Sequence, residues 1–239
     1  MEYGQFAHIY DRFMYDQPYD TWAQIVQQYI PAEGSILDVA TGTGKLLQLV
    51  TANEKVGVDL SEDMLAVAQH NVGNAQFVAQ DMTELNLARS FDTITCLCDS
   101  LNYLQDEDAI VRTFQNVYAH LKREGTFIFD VHSVQKFEHY FNNATYSDDL
   151  SDIVYIWHAI KGETPFSVYH DMTFFVSDGT RYDRFDESHE QRTFPIDFYK
   201  MQLEQAGFDI ESVFFDFDEA QVTETDDVER VFFVAKKRL

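Results

Sequence analysis

The chain has 239 residues, and its 17 Lys and Arg against 41 Asp and Glu give a formal net charge of −24. A field of that sign repels phosphate backbones and anionic membrane surfaces, so nucleic acid and membrane partners are disfavoured and a small or cationic ligand is expected. Hydrophobic residues make up 45% of the chain, too much apolar surface for a disordered polymer, and the length suits one large domain or one domain carrying an insertion.

Near the start, Phe6, Tyr10, Phe13 and Met14 recur at helical spacing, which predicts a lid helix or a packing stripe. A short apolar run over 35–39, punctuated before it by Pro31 and Gly34, turns through Gly42 and Gly44 into helical spacing over 45–50. This is strand, tight turn, helix. Residues 55–60 read as a second strand, followed by Ser61 as N-cap, Glu62 and Asp63 in the first turn, and Met64, Leu65, Ala68 and Val72 on one helix face. A third strand over 75–79 ends at Gln80, Asp81 and Met82. The nearly continuous apolar run 91–98 suits a fourth strand covered on both faces, with Cys96 and Cys98 pointing the same way. Asp106 then caps a helix bearing Ile110, Phe114, Val117 and Leu121, with Lys122 and Arg123 near its end, and 126–131 is the fifth strand. The alternation predicts an α/β fold: a doubly wound, mostly parallel, Rossmann-like sheet.

From His132 the pattern changes. Residues 153–157 and 168–176 read as strands and Ser177-Asp178-Gly179-Thr180 as a hairpin turn, so 132–192 is expected to be an antiparallel β insertion after the fifth strand. Its aromatics, among them Tyr155, Trp157 and Phe174, suit acceptor recognition or a homodimer contact. Residues 1–131 form the lid helices and the ligand-binding core, and 193–239 complete that core. There Pro195 opens a helix, Gly207 closes it, and strands at 208–217 and 231–235 bring the sheet to seven, with a solvated acidic loop between them. No basic stretch backed by an apolar run opens the chain, no apolar segment is long enough to span a bilayer, and the two cysteines make no disulfide framework. A soluble cytoplasmic protein is expected.

Ligands of open α/β sheets sit beyond the carboxyl ends of the strands, and the candidate residues here converge at four such ends. Gly42 and Gly44 allow a sharp turn and close approach to backbone N–H groups, while Asp59 can accept hydrogen bonds from both hydroxyls of a ribose. A phosphate-binding P-loop is excluded, because Leu46 follows Lys45 and Val39 stands where its first glycine belongs. A dinucleotide fingerprint fits poorly, because its third small residue falls on Leu47.

Four motifs in order, Ile36-Leu-Asp38-Val-Ala40-Thr-Gly42-Thr-Gly44, Gly57-Val-Asp59-Leu60-Ser, Gln80-Asp81-Met82 and Phe91-Asp92, resemble the class I S-adenosylmethionine-dependent methyltransferases. Tyr10-Asp11 and Cys98-Asp-Ser-Leu-Asn-Tyr103 add similarity to a subgroup of small bacterial methyltransferases with unassigned acceptors. The resemblance implies S-adenosylmethionine as cofactor, with Gly42 and Gly44 at its methionine part, Asp59 and Leu60 at the ribose end, Asp81 and Met82 at the adenine, and Cys98 and Asp99 passing beside it. Asp38 would order the loop, and Tyr10 would reach the sulfonium from the lid. Ala40 departs from the family's usual glycine, a change expected to be tolerated at negative φ.

In-line transfer needs positioning above all, and a base only where the acceptor arrives protonated. By position, Asp99, Asn102, Tyr103 and His132 are the candidates to touch the acceptor, a small molecule attacked at nitrogen or oxygen. Asp99 and Asn102 have a structural alternative as helix caps, and His132 and His170 as packed structural histidines. No His/Cys pair at ligand spacing accompanies Asp99, Asp130 and His132, so no metal site is expected. The rival readings are an NAD-dependent oxidoreductase on a related sheet and a non-catalytic cofactor-binding or interaction module.

Overall fold

In the computed structural model, which describes residues 4–238, the core is one seven-stranded sheet. Five strands, β1 (Ser35–Val39), β2 (Glu54–Asp59), β3 (Gln76–Ala79), β4 (Phe91–Cys96) and β5 (Leu121–His132), run parallel. Chain-terminal β10 (Phe208–Phe215) and β11 (Arg230–Lys237) complete the order β10-β11-β5-β4-β1-β2-β3, with β11 antiparallel to both of its neighbours. This is the doubly wound sheet that the alternating sequence predicts.

Helices cover both faces, so every residue of β1 is buried. One layer packs α2 (Tyr19–Gln27) and α3 (Lys45–Leu49) through Trp22, Val26 and Leu47 on Ile36, Ile128 and Phe232. The opposite layer packs α5 (Glu107–His120) and α7 (Ile196–Ala206) through Phe114, Val117 and Tyr199 on Phe127, Phe129 and Phe233. Residues 127, 128 and 129 thus alternate between layers, as the two-residue period of a strand requires. Phe129 and Phe233, directly opposite in register, stack at 4.7 Å.

The expected caps are made. Ser61 Oγ accepts from the Met64 N–H at 3.2 Å at the start of α4 (Glu62–Asn71), and Asp106 Oδ1 accepts from Ala109 N–H at 2.6 Å. Each such cap is worth about 1 kcal/mol. Pro195 and Gly207, the latter at φ +103°, bound α7. One helix end differs from expectation: α5 stops at His120, because Leu121 is drawn into the sheet opposite Phe91. Lys122 then pairs with Asp92 at 2.7 Å instead of lying at the helix end.

Between β5 and α7 the chain forms α6 (Val134–His139) and a four-stranded antiparallel meander, β6 (Ala144–Asp149), β7 (Ile153–Lys161), β8 (Ser167–Ser177) and β9 (Tyr182–Arg192). The hairpin read at Ser177–Thr180 joins β8 to β9. Sequence periodicity missed α6 and β6. β6 is an edge strand of Ala-Thr-Tyr-Ser-Asp-Asp, mostly exposed, whose polar composition carries no core signal. The meander's inner face, with Phe174 and Tyr155, packs on Phe6 and Phe13 of α1 (Gly4–Phe13). Among the described residues, no helix is long and apolar enough to cross a membrane.

Candidate active site

The loop after β1 is ordered from below by Asp38, whose two carboxylate oxygens accept hydrogen bonds from the Thr41 and Thr95 hydroxyls, each at 2.7 Å. Burial pushes this carboxyl up to about 6, against the pull of those two donors. The chain then takes left-handed backbone at Ala40 (φ +57°), Gly42 (+53°) and Gly44 (+76°). The negative φ at which Ala40 would replace glycine without strain is therefore not met. The loop turns too tightly to spare residue 40, and its methyl group is carried in a region that costs a side chain roughly 1–2 kcal/mol.

Asp59, at the end of β2, accepts from the Gly42 N–H at 2.8 Å and the Ser61 N–H at 2.9 Å, one on each oxygen. A carboxylate has about four acceptor sites, so both oxygens retain capacity for a ligand's hydroxyls. Beside it Leu60 is 73% exposed, an apolar side chain open to solvent. At the end of β3, Asp81 Oδ1 accepts from the Thr83 N–H and hydroxyl, while its Oδ2 makes no hydrogen bond among the described residues. Met82 packs half-buried on the core. Hydroxyl acceptors, a free carboxylate oxygen, an exposed Leu and open space beside Gly42 are the chemistry that an adenosyl group requires, so the residues fit the cofactor that the resemblance implies.

Helix α1 crosses between this loop and the insertion. Its Asp11 accepts from the Thr43 hydroxyl at 2.5 Å and Asn71 at 3.4 Å, and its Arg12 pairs with Asp152. The space that it closes, about 390 Å³, lies against the ends of β4 and β5. Aromatic side chains wall it, with Phe6, Tyr10 and Phe13 from the helix facing Tyr155 and Trp157 from β7. Its polar side holds Cys98, Asp99, Tyr103, His132, Gln191 and Arg230. Burial keeps the Tyr10 phenol protonated.

Three of the four candidate acceptor contacts, Asp99, Tyr103 and His132, line this space together. Asn102 does not. It is fully buried, accepting from the His132 N–H at 2.9 Å and donating to the Arg192 carbonyl at 3.0 Å. Its amide clasps the end of β5 to the end of β9, which is a structural task. Cys98 also departs from expectation: β4 ends at Cys96, and Cys98 and Asp99 are left-handed at φ +55° and +51°, so the two cysteines do not share a strand face.

That turn is held by a group that sequence analysis did not place. Asp130, with no exposed surface, accepts from the N–H groups of Cys98 (2.8 Å) and Asp99 (3.1 Å) and from the Trp22 indole (3.1 Å). Arg230 pairs with Asp130 and, at 3.0 Å, with Asp99. Burial opposes the charge of each group in this cluster. The facing His132 ring and the Arg230 guanidinium outweigh it at Asp99, whose carboxyl lies well below the usual range, and the two carboxylates hold Arg230 protonated. The signal for Arg230 was present but unread. It is the basic residue that opens the apolar strand after the acidic loop, and β11 pairing sets it opposite His132.

His132 Nε2 lies 3.3 Å from Asp99 Oδ1, whereas its buried Nδ1 has no hydrogen-bond partner. Burial pushes this imidazole down to about 3 despite Asp99 beside it, so the ring is neutral. An ionised carboxylate only accepts; Nε2 therefore carries the proton and Nδ1 the lone pair.

Comparisons with known proteins agree with this geometry. Residues 36–125 match a methyltransferase domain family. The chain is 43% identical to Bacillus subtilis YqeM, which bears a provisional methyltransferase name, over 99% of this chain and 98% of that one. The crystal structure of an S-adenosylmethionine-dependent methyltransferase from Clostridium acetobutylicum is 31% identical, covers 99% of both chains and superposes with a TM-score of 0.88. A dTDP-4-amino-2,3,4,6-tetradeoxy-D-glucose N,N-dimethyltransferase of Saccharopolyspora spinosa is 32% identical over 109 residues, 45% of this chain and 44% of that one. These findings set aside the oxidoreductase and the non-catalytic module. The chain belongs to the class I S-adenosylmethionine-dependent methyltransferases.

Proposed function

We propose that this enzyme methylates the nitrogen of a small amine, with His132 as the base that takes the amine's proton. The observation that carries the reading is the buried, unpartnered His132 Nδ1 in a residue that lines the cavity, its other nitrogen engaged by Asp99. At neutral pH an aliphatic amine arrives as an ammonium with no lone pair to attack with. The ring's own basicity is low, about 3, so His132 Nδ1 receives the proton only transiently, as the amine's lone pair is freed to attack, with Asp99 opposing the pull of burial on the imidazolium.

Bound S-adenosylmethionine supplies a methyl group on a positively charged sulfur. Asp59 and Leu60 would hold its ribose end, Asp81 and Met82 its adenine, and the backbone at Gly42 and Gly44 its methionine part. The aromatic walls, with Asp16 and Glu229 at the rim, attract a cationic acceptor and exclude water. Holding acceptor and donor in line, at effective molarities of about 10^5–10^8 M, is worth roughly 7–11 kcal/mol, so Tyr10, Tyr103 and the walls need only position. The net charge of −24 supports a small acceptor over a nucleic acid. The amino-sugar substrate in the name of the Saccharopolyspora relative supports nitrogen as the attacked atom.

The test is formation of S-adenosylhomocysteine with a panel of nucleotide-linked amino sugars and simpler amines, each beside its hydroxyl counterpart. Turnover on amines alone is expected. His132→Gln should lose about 10²–10⁴-fold at pH 7 and recover as pH rises past the acceptor's own pKa. Methylation of the hydroxyl compounds instead, or a His132→Gln enzyme as fast as the parent at pH 7, would refute the reading.

A further inference from the structure

Three polar side chains cross the inner face of the insertion in line with Asp99. The Trp157 indole N–H on β7 donates to His170 Nδ1 on β8 at 2.9 Å. His170 Nε2 lies 3.2 Å from Gln191 Oε1 on β9, and Gln191 Nε2 donates to Asp99 Oδ2 at 2.8 Å. His170 and Gln191 are 6% and 4% exposed. A sheet that merely shut a cavity would be cheaper in apolar residues, since buried polar groups cost stability unless every bond is made.

The chain has one direction. An indole N–H can only donate, so His170 Nδ1 must accept. A neutral imidazole then bears its proton on Nε2, which fixes Gln191 Oε1 as the acceptor and leaves the amide NH2 for Asp99. Burial holds His170 down to about 4, in keeping with a neutral ring. The far end is a carboxylate that can only accept, and its other oxygen faces Arg230 at 3.0 Å and His132 Nε2 at 3.3 Å. Donor-only and acceptor-only groups at the two ends leave no second arrangement without a clash of like atoms.

We propose that Trp157, His170 and Gln191 are positioning residues, a relay through which the insertion fixes the Asp99 carboxylate and, through it, the proton of His132 on Nε2. The insertion is then part of the catalytic apparatus as well as its cover. The inference rests on reading His132 as the base, but its test reads the ring directly and does not depend on turnover.

The experiment is long-range proton–nitrogen correlation of the histidine rings in the uniformly nitrogen-15-labelled full-length chain, with His132→Gln and His170→Gln spectra assigning the two rings. In the parent, both rings should show one pyrrole-type nitrogen at Nε2 and one pyridine-type nitrogen at Nδ1. Trp157→Phe should free His170 to average between tautomers, and both Trp157→Phe and Gln191→Leu should shift the His132 Nε2–H resonance as the Asp99 carboxylate loosens. Cooperative melting verifies each fold; if Gln191→Leu does not fold, Trp157→Phe decides alone. A His132 Nε2–H resonance unchanged by Trp157→Phe in folded protein, or a His170 that carries its proton on Nδ1 in the parent, overturns the relay. If the relay holds in these spectra while His132→Gln keeps full turnover on an amine, the base assignment alone has failed.

Discussion

Removing Arg230 is the sharpest probe of how the site is held. The guanidinium, 7% exposed, stands between Asp130, which has no exposed surface, and Asp99, and lies 5.1 Å over the Trp22 ring. Arg230→Met keeps the length and apolar stem but leaves two buried carboxylates without their cation. Breaking a buried pair in this way costs about 3–5 kcal/mol, because the partner's desolvation is no longer compensated. For a chain of this size each kcal/mol moves the melting temperature by roughly 2–4 °C, so a fall of about 6–20 °C is expected by calorimetry or circular dichroism at pH 7. Adding Asp130→Asn removes one orphaned charge and keeps an acceptor for the Trp22 indole or one backbone N–H. The double variant should therefore recover part of the loss. A fall of less than about 3 °C in Arg230→Met, or strictly additive effects in the double variant, would refute the reasoning.

Other expectations test the cofactor loop and the buried histidines. Ala40→Gly relieves left-handed strain of roughly 1–2 kcal/mol and returns about 0.4–1 kcal/mol to unfolded-chain entropy, a net gain of up to about 1.6 kcal/mol, so it should raise the melting temperature by up to about 6 °C; a lower value than the parent's would show that the loop carries no strain at Ala40. Asp59→Ala should weaken S-adenosylmethionine binding in calorimetric titration by at least about tenfold while the protein still melts cooperatively, since hydrogen bonds to a charged acceptor contribute roughly 1.5–3 kcal/mol each. Equal affinity would remove Asp59 from the ribose role. His132 and His170 are neutral in the fold, pushed by burial to about 3 and about 4, whereas unfolded histidine titrates near 6.5. Their stabilisation is complete above about pH 6.5 and is lost as pH falls toward 4, because only the unfolded chain takes up those protons. Asp38, raised to about 6, runs the other way: the fold holds its proton between about 4 and 6, so its contribution declines as pH rises through that window. The two histidines outweigh the one carboxyl. Melting temperature should fall from pH 7 to pH 5, less steeply in His170→Gln and more steeply in Asp38→Asn; the opposite order of slopes would show that burial does not set these protonation states.

What could be read in advance was whatever is encoded within one or two turns of chain. Ser61 and Asp106 cap because a short polar side chain reaches an N–H three residues on, and the two-residue alternation through Phe127, Ile128 and Phe129 fits only a strand between two layers. The same locality marked Gly42, Gly44 and Asp59, which the β1–β2 pairing then joins. The left-handed backbone of Ala40 and Cys98 was hidden, since each is imposed by the closure of a loop and not by the residue's own preference.

The polar heart of the site belongs to tertiary structure. Arg230 meets Asp130 across 100 residues of chain and Gln191 meets Asp99 across 92, through a strand that enters the sheet last and an insertion that folds back over it. No periodicity records such a meeting. A buried charge is placed by the partner that neutralises it, and that partner's position follows only from strand order and register. Sequence alone determined the sheet, its loop and the cofactor class; the assembled fold decided which candidate side chains line the cavity, sending Asn102 to a backbone clasp and leaving His132 with a free lone pair.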